Sequence, residues 1–220
     1  MSAIKEKLNL LRGRLLHGKG LKVLQEFDAA MRGAGIPYTL IYGTLLGAVR
    51  EKGFIRHDFD IDVAVWSDTD RALLHRTLRE AGFRFKRSIS VQGGKYGLEE
   101  CFSLRGIRID MDFVYTDPAD GRTYIAEYFL QPGCSWQESK KKYGGLKVLQ
   151  IPLPVSRETE YLPFENTTLP VTKSALDFVE ARYGKNWRVP DPTFVWPKIG
   201  DASYIEHPDW LGVISHDEHC

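Results

Sequence analysis

The sequence predicts an α/β (α+β) fold: a small mixed sheet carrying two acidic strands, flanked by helices, with the last third of the chain folded against it. Two kinds of pattern predict this. In Ile61–Val65 and again in GIRIDMDFVY, apolar residues alternate with acidic ones, as a half-buried strand requires. Elsewhere leucines and aromatics recur at helical spacing, in residues 3–16, 21–31, 69–81 and 174–183.

The elements follow in order. Ile4, Leu8, Leu11 and Leu15 repeat at helical spacing with Lys5, Lys7, Arg12 and Arg14 between them. His17-Gly18-Lys19-Gly20 reads as a break, and Leu21 to Met31 as a second helix ending near Gly33 and Gly35. Tyr38 to Tyr42 alternates as a strand that ends at Gly43-Thr44, and GTLLGAVR begins a short helix just after the turn. Residues 69–81 form an amphipathic helix with Leu73, Leu74 and Leu78 inward. After residue 115 the pattern loses regularity: Lys140-Lys141-Lys142-Tyr143-Gly144-Gly145 reads as a basic, flexible loop. Ser174 to Tyr183 is helical, and the proline- and tryptophan-rich end from Pro190 to Trp210 wraps over the core. His216, Asp217, His219 and Cys220 have metal-ligand chemistry, but a frayed terminus is the preferred reading.

Chemistry concentrates in IYGTLLGAVREKGFIRHDFDIDVAV. Asp60 and Asp62 share one strand face about 6–7 Å apart at the backbone. Packing gains nothing from two anions placed so, because like charges raise each other's pKa. A hard divalent cation, Mg²⁺ (or Mn²⁺), relieves the repulsion with oxygen ligands, and Asp58 stands close enough to join them. An EF-hand loop is excluded, since the sixth and twelfth positions counted from Asp58 hold Val63 and Thr69 rather than Gly and Glu. The helix start at Gly43-Thr44 offers backbone N–H groups and a hydroxyl to a phosphate oxygen, with Arg50 and Lys52 adding positive charge. On the second acidic strand Ile107, Ile109, Met111 and Phe113 make one face and Arg108, Asp110 and Asp112 the other. Laid beside the first strand, it lets Asp110 or Asp112 complete the ion site or take the proton of an attacking hydroxyl.

Composition narrows the class. A net charge of +1 argues against broad nucleic-acid binding. Three cysteines do not form a disulfide framework and suit a reducing compartment. No apolar run approaches the roughly 18–20 residues a bilayer requires, and the N-terminus lacks a signal-peptide core. The expectation is a cytoplasmic protein. The basic N-terminal helix is compatible with a peripheral contact at the inner membrane face, although packing on the catalytic core is the preferred reading.

Gly-Thr, then Asp-x-Asp, then a carboxylate on a later strand resembles the pattern of the nucleotidyltransferase (polymerase β-like) superfamily. More narrowly, GTLLGAVREKGFIRHDFDID is similar to the signature of the LicD / fukutin-related family of phosphotransferases. IRIDMDFVY resembles that family's later strand, and LPFENTTLPVTKSALDFVEARYGKNWRVP its closing segment. The chain departs from the family's usual pattern at Arg56-His57, where Pro-Trp is common, and at Phe59, where many members have a third consecutive aspartate. The resemblance implies one catalytic domain, with N-terminal helices at 1–35, a family core at 36–192 and a C-terminal wrap at 193–220. It implies Asp60, Asp62 and Asp110 as catalytic residues, with Asp110 the third carboxylate. It also implies transfer of choline, ribitol or glycerol phosphate from a CDP-alcohol donor to a sugar hydroxyl of a glycan or glycolipid acceptor, releasing CMP. The alternative is a stricter nucleotidyltransferase that moves NMP onto a small molecule and releases pyrophosphate.

Overall fold

In the computed structural model residues 3–191 and 203–215 are described. In chain order the elements are α1 (Ala3–Gly33), β1 (Thr39–Leu40), α2 (Tyr42–Arg50), β2 (Ile61–Trp66), α3 (Arg71–Glu80), β3 (Arg84–Val91), β4 (Gly97–Leu104) and β5 (Ile107–Thr116). They continue with β6 (Thr123–Phe129), α4 (Trp136–Tyr143), β7 (Leu146–Pro152), β8 (Thr159–Phe164), β9 (Thr167–Thr172), α5 (Ala175–Tyr183) and β10 (Ile205–Ser215). The fold is α+β, with a mixed sheet flanked by helices, as the patterning predicts.

The sheet is larger than expected. Eight strands run in the order β1-β2-β5-β4-β3-β10-β7-β6, and β6 also pairs with β5, so six of them close into a ring. Two further strands, β8 and β9, form a separate hairpin. One pairing brings the acidic strands together. β2 and β5 lie side by side and parallel, with Asp62 abreast of Asp110 and Ala64 abreast of Asp112. A second partner of β5, β4, is antiparallel and sets Glu99 opposite Asp112 and Cys101 opposite Asp110. The apolar backs of the acidic strands, Ile61, Val63 and Val65 with Ile109, Met111 and Phe113, are buried in the main core. Each fully buried side chain of that size stabilises the fold by about 1.5–3 kcal/mol.

Three expectations are corrected here. The N-terminal region is one 31-residue helix, not two. Gly18 has open space around it, and Gly20 lets Leu16 and Phe54 close in, since a Cβ there would lie 2.8 Å from Leu16 Cδ1. Two helical glycines cost about 1 kcal/mol each, and burial of Leu16, Val23, Leu24, Phe27 and Met31 on one face outweighs that. The three lysines at 140–142 form the last turn of α4, not a loop. A capping box between Ser135 and Glu138 starts that helix, and lysines near its C-terminus suit the helix dipole. Finally, residues 205–215 are not a wrap over the core but a strand inserted between β3 and β7. His216, Asp217, His219 and Cys220 lie outside the described residues, as does the stretch 192–202. Cys101 is buried in β4, and Cys134 is free. No helix among the described residues is long and apolar enough to cross a membrane.

Candidate active site

The site is built where β2 and β5 begin. Because β2 starts at Ile61, Asp60 sits just ahead of the strand and Asp62 one residue inside it. Adjacent strands lie about 4.8 Å apart, so Asp62 and Asp110 are close neighbours on one face. Asp58 comes from the loop before β2, its N–H bonded to the Ile55 carbonyl at 3.0 Å. Two glycines admit that loop. A Cβ at Gly43 would lie 2.9 Å from Asp58 Oδ1, and one at Gly13 of α1 would lie 3.3 Å from the Asp58 carbonyl oxygen. Thus Gly43 is where the start of α2 meets the Asp58 carboxylate. The neighbouring Tyr42 holds a left-handed backbone conformation at φ 44, which costs roughly 1–2 kcal/mol in a non-glycine residue.

The electrostatics are those of crowded anions. Burial pushes the Asp58 carboxyl well above the ordinary carboxylate range, Asp60 adds to the rise, and Arg50 opposes it. Asp60 is raised by burial and held back chiefly by Arg108. Asp62 is pushed well up by burial, then by Asp60, Asp58 and Asp110, with Arg108 opposing. Arg108 Nη2 is hydrogen-bonded to Asp60 Oδ2 and lies 3.5 Å from Asp110 Oδ2. Arg12 of α1 stands in the field of the same Asp60 and Asp110. Two carboxylate oxygens, Asp58 Oδ2 and Asp110 Oδ1, are buried without a hydrogen-bond partner.

The phosphate-binding expectations fare differently. Thr44 is fully buried, and its Oγ1 accepts the Asp62 N–H at 2.9 Å. In this position the hydroxyl is a strut that fixes the register of α2 on β2. Arg50 donates from Nη1 to the Trp187 carbonyl at 3.1 Å and from Nε to Glu51 at 2.9 Å, so it ties the end of α2 to the segment after α5. Lys52 is exposed on a tight turn at φ 56, where its carbonyl accepts the Glu165 N–H of the β8–β9 hairpin. The structure does not bring Lys52 to the acids.

Two cations at the site escape the sequence reading. Arg108 is visible in the alternation, since it shares a face with Asp110, yet its partner Asp60 comes from another strand. Arg12 looks like one more charge on a basic helix, and only the packing of α1 brings it to Asp60.

Among the described residues no three His, Cys, Asp or Glu side chains converge closely enough to hold a metal ion. Arg108 occupies the space between two of the candidate ligands. The donor chemistry nevertheless suits a hard cation: four carboxylates, two of them with an unsatisfied buried oxygen, outnumber the guanidiniums of Arg12 and Arg108.

An Asp-x-Asp at the start of one strand, with a carboxylate abreast on its parallel neighbour, is the arrangement expected of a nucleotidyltransferase-like site. The comparisons make the class specific. Residues 35–143 match the family model described as LicD/FKTN/FKRP, nucleotidyltransferase domain, and the domain they form belongs to that family. The chain is similar to ribitol-5-phosphate transferase FKTN of Mus musculus, 25% identical over 191 residues, which are 86% of this chain and 37% of that protein. It is likewise 23% identical to the Homo sapiens protein of that name over 180 residues, 80% of this chain and 35% of that protein. The chain therefore spans little more than a third of the length of the curated relatives it matches.

Proposed function

We propose that this domain transfers a phospho-alcohol from a CDP-alcohol to a hydroxyl of a glycan or glycolipid acceptor, releasing CMP. The observation that carries the reading is Asp62 abreast of Asp110 on parallel strands, with Asp58 and Asp60 beside them. The name of the relatives favours ribitol phosphate among the three candidate alcohols.

A Mg²⁺ or Mn²⁺ ion held by Asp60 and Asp62, with Asp58 and Asp110 as further ligands, would neutralise charge on the donor's phosphates. The chain's own residues supply the rest. Asp110 presents Oδ1 unpaired, so this oxygen is available to take the proton of the acceptor hydroxyl as it attacks. Arg12 and Arg108 lie beside the acids and place positive charge where the phosphates must sit. Thr44 fixes the backbone of Asp62, and Gly43 leaves room for Asp58 against the start of α2. The exposed Leu8, Leu10 and Leu11 of α1, next to Lys7, give a surface for peripheral contact with a membrane that carries a lipid-linked acceptor.

The test is a thermal-shift panel of CDP-choline, CDP-ribitol, CDP-glycerol and common nucleotide sugars with Mg²⁺, followed by product analysis. A CDP-alcohol should raise the melting temperature with its concentration, and turnover should release CMP. Pyrophosphate as the by-product would instead assign a nucleotidyltransferase.

A further inference from the structure

We infer that Arg108 is a built-in counter-cation of the carboxylate site, holding Asp60 and Asp110 until donor phosphates draw it away and Asp60 becomes available to the divalent ion. The inference rests on the metal reading above.

Three features of Arg108 support it. First, it bridges the two strands through one atom: Nη2 serves both Asp60 Oδ2 and Asp110 Oδ2, while Nε is buried with no acceptor. A guanidinium fixed for structure alone would use its planar fork in a two-bond pairing. This one is attached at a single corner. Second, Arg108 lies over the Phe59 ring at 5.7 Å from its centroid. The ring gives the cation a second favourable neighbour at the mouth of the site, so release of Asp60 need not expose it wholly to water. Third, its side chain and those of Asp60 and Asp110 are each 16–19% exposed, so an incoming anion can reach the cluster.

Charge then dictates an order. Without a donor, an ion entering beside Asp60 meets a guanidinium on two of its candidate ligands. Donor phosphates reverse the preference, because they attract Arg108 and the ion together. Ion and donor binding are therefore coupled, and the coupling is reciprocal. The ion is admitted well only with the substrate that uses it, and Arg108 is the positioning residue that imposes the condition.

Mn²⁺ titration, by calorimetry and by loss of the free-ion paramagnetic signal, tests this with and without CDP. Wild type should bind Mn²⁺ weakly alone and much more tightly with CDP. Arg108→Gln should bind Mn²⁺ alone about tenfold or more tighter than wild type, and CDP should improve its affinity by a smaller factor. Arg108→Lys keeps the charge but loses the planar fork, and should fall between the two; it also guards against misfolding of the first variant, with circular dichroism as the check. Unchanged or weaker Mn²⁺ binding in Arg108→Gln, or an undiminished CDP effect, overturns the inference while leaving the metal reading intact. A wild-type protein that takes up no Mn²⁺ under either condition overturns the metal reading and this inference with it.

Discussion

Asp110 and Asp112 stand two residues apart on the same face of β5, yet they belong to different environments. Asp110 lies at the mouth of the site with Arg108 beside it and Arg12 near, and one of its oxygens lacks a partner. Asp112 lies deeper, only 7% exposed. Burial and then Glu99, Glu127, Asp62 and Asp110 all push its carboxyl upward. The cations in that deeper region are already committed. Arg87 pairs with Glu99 at 2.5 Å, and Arg182 with Glu127 at 3.4 Å. One strand thus carries one carboxylate beside two guanidiniums and another that burial and neighbouring acids push toward its protonated form. Orientation on a strand face does not separate them; the supply of positive charge does.

The strongest way to break this comparison is to neutralise the mouth. Asp60→Asn and Asp62→Asn should each reduce transfer at least about 10³-fold, since each removes a charged ligand of the proposed ion from an otherwise intact strand end. Circular dichroism should show a folded protein. Unchanged affinity for Mn²⁺ with CDP in both variants would remove the metal assignment.

Asp110→Asn comes next, with kcat lowered roughly 10²–10⁴-fold and donor binding largely kept. Asp112→Asn should be far milder. Steady-state kinetics on the pair decides which carboxylate serves the acceptor. The reverse ordering would move the base one strand repeat deeper and collapse the distinction between mouth and interior.

The deeper region should respond in stability rather than rate. Arg182 and Glu127 are 5% and 7% exposed, and removing one member of a buried pair costs about 3–5 kcal/mol by leaving the other charge uncompensated. Arg182→Leu should therefore lower the urea midpoint sharply. Arg182→Leu combined with Glu127→Leu should recover part of the loss, because no charge is then left buried alone. A double variant no more stable than the single one would show that the cost lies in packing around Tyr42 and Tyr183, whose rings Arg182 also covers.

The same contrast explains what the sequence reveals and what it hides. β2 and β5 are legible because each has one apolar and one acidic face, so the period of two is written into the residues. Asp58, Asp60, Asp62 and Asp110 follow from that period. β6 and β7 are missed because TYIAEYF and LKVLQIP are buried almost throughout; a strand covered on both faces has no alternation to read. β10 is disguised by Pro208, which sits where the pairing with β7 shifts register between Glu206 and Leu211. Residues 3–33 look like two helices because local glycine propensity favours a break, whereas long-range packing of Leu16 on Phe54 favours continuity. Arg12 cannot be assigned from sequence for the same reason: its partners lie about fifty and a hundred residues away in the chain.

The smallest expected effect is the most diagnostic of the interior. Asp112 has a folded pKa well above the ordinary value of 3.8. Between that value and the folded one, the native state holds a proton that the unfolded chain has released. The native state therefore loses stability as pH rises through this window. Asn at 112 carries no such proton, so the slope should vanish from the variant. Measured without metal, wild type and Asp112→Asn should melt close together near pH 3, below the unfolded value, where the carboxyl is protonated in both states. At pH 8 the variant should melt higher by a few degrees, roughly 1 kcal/mol. Other titrating groups are common to both proteins and cancel in the difference to first order. A gap that stays constant with pH, or a variant that is the less stable of the two at pH 8, would show that Asp112 is ionised in the fold and finds compensating positive charge there.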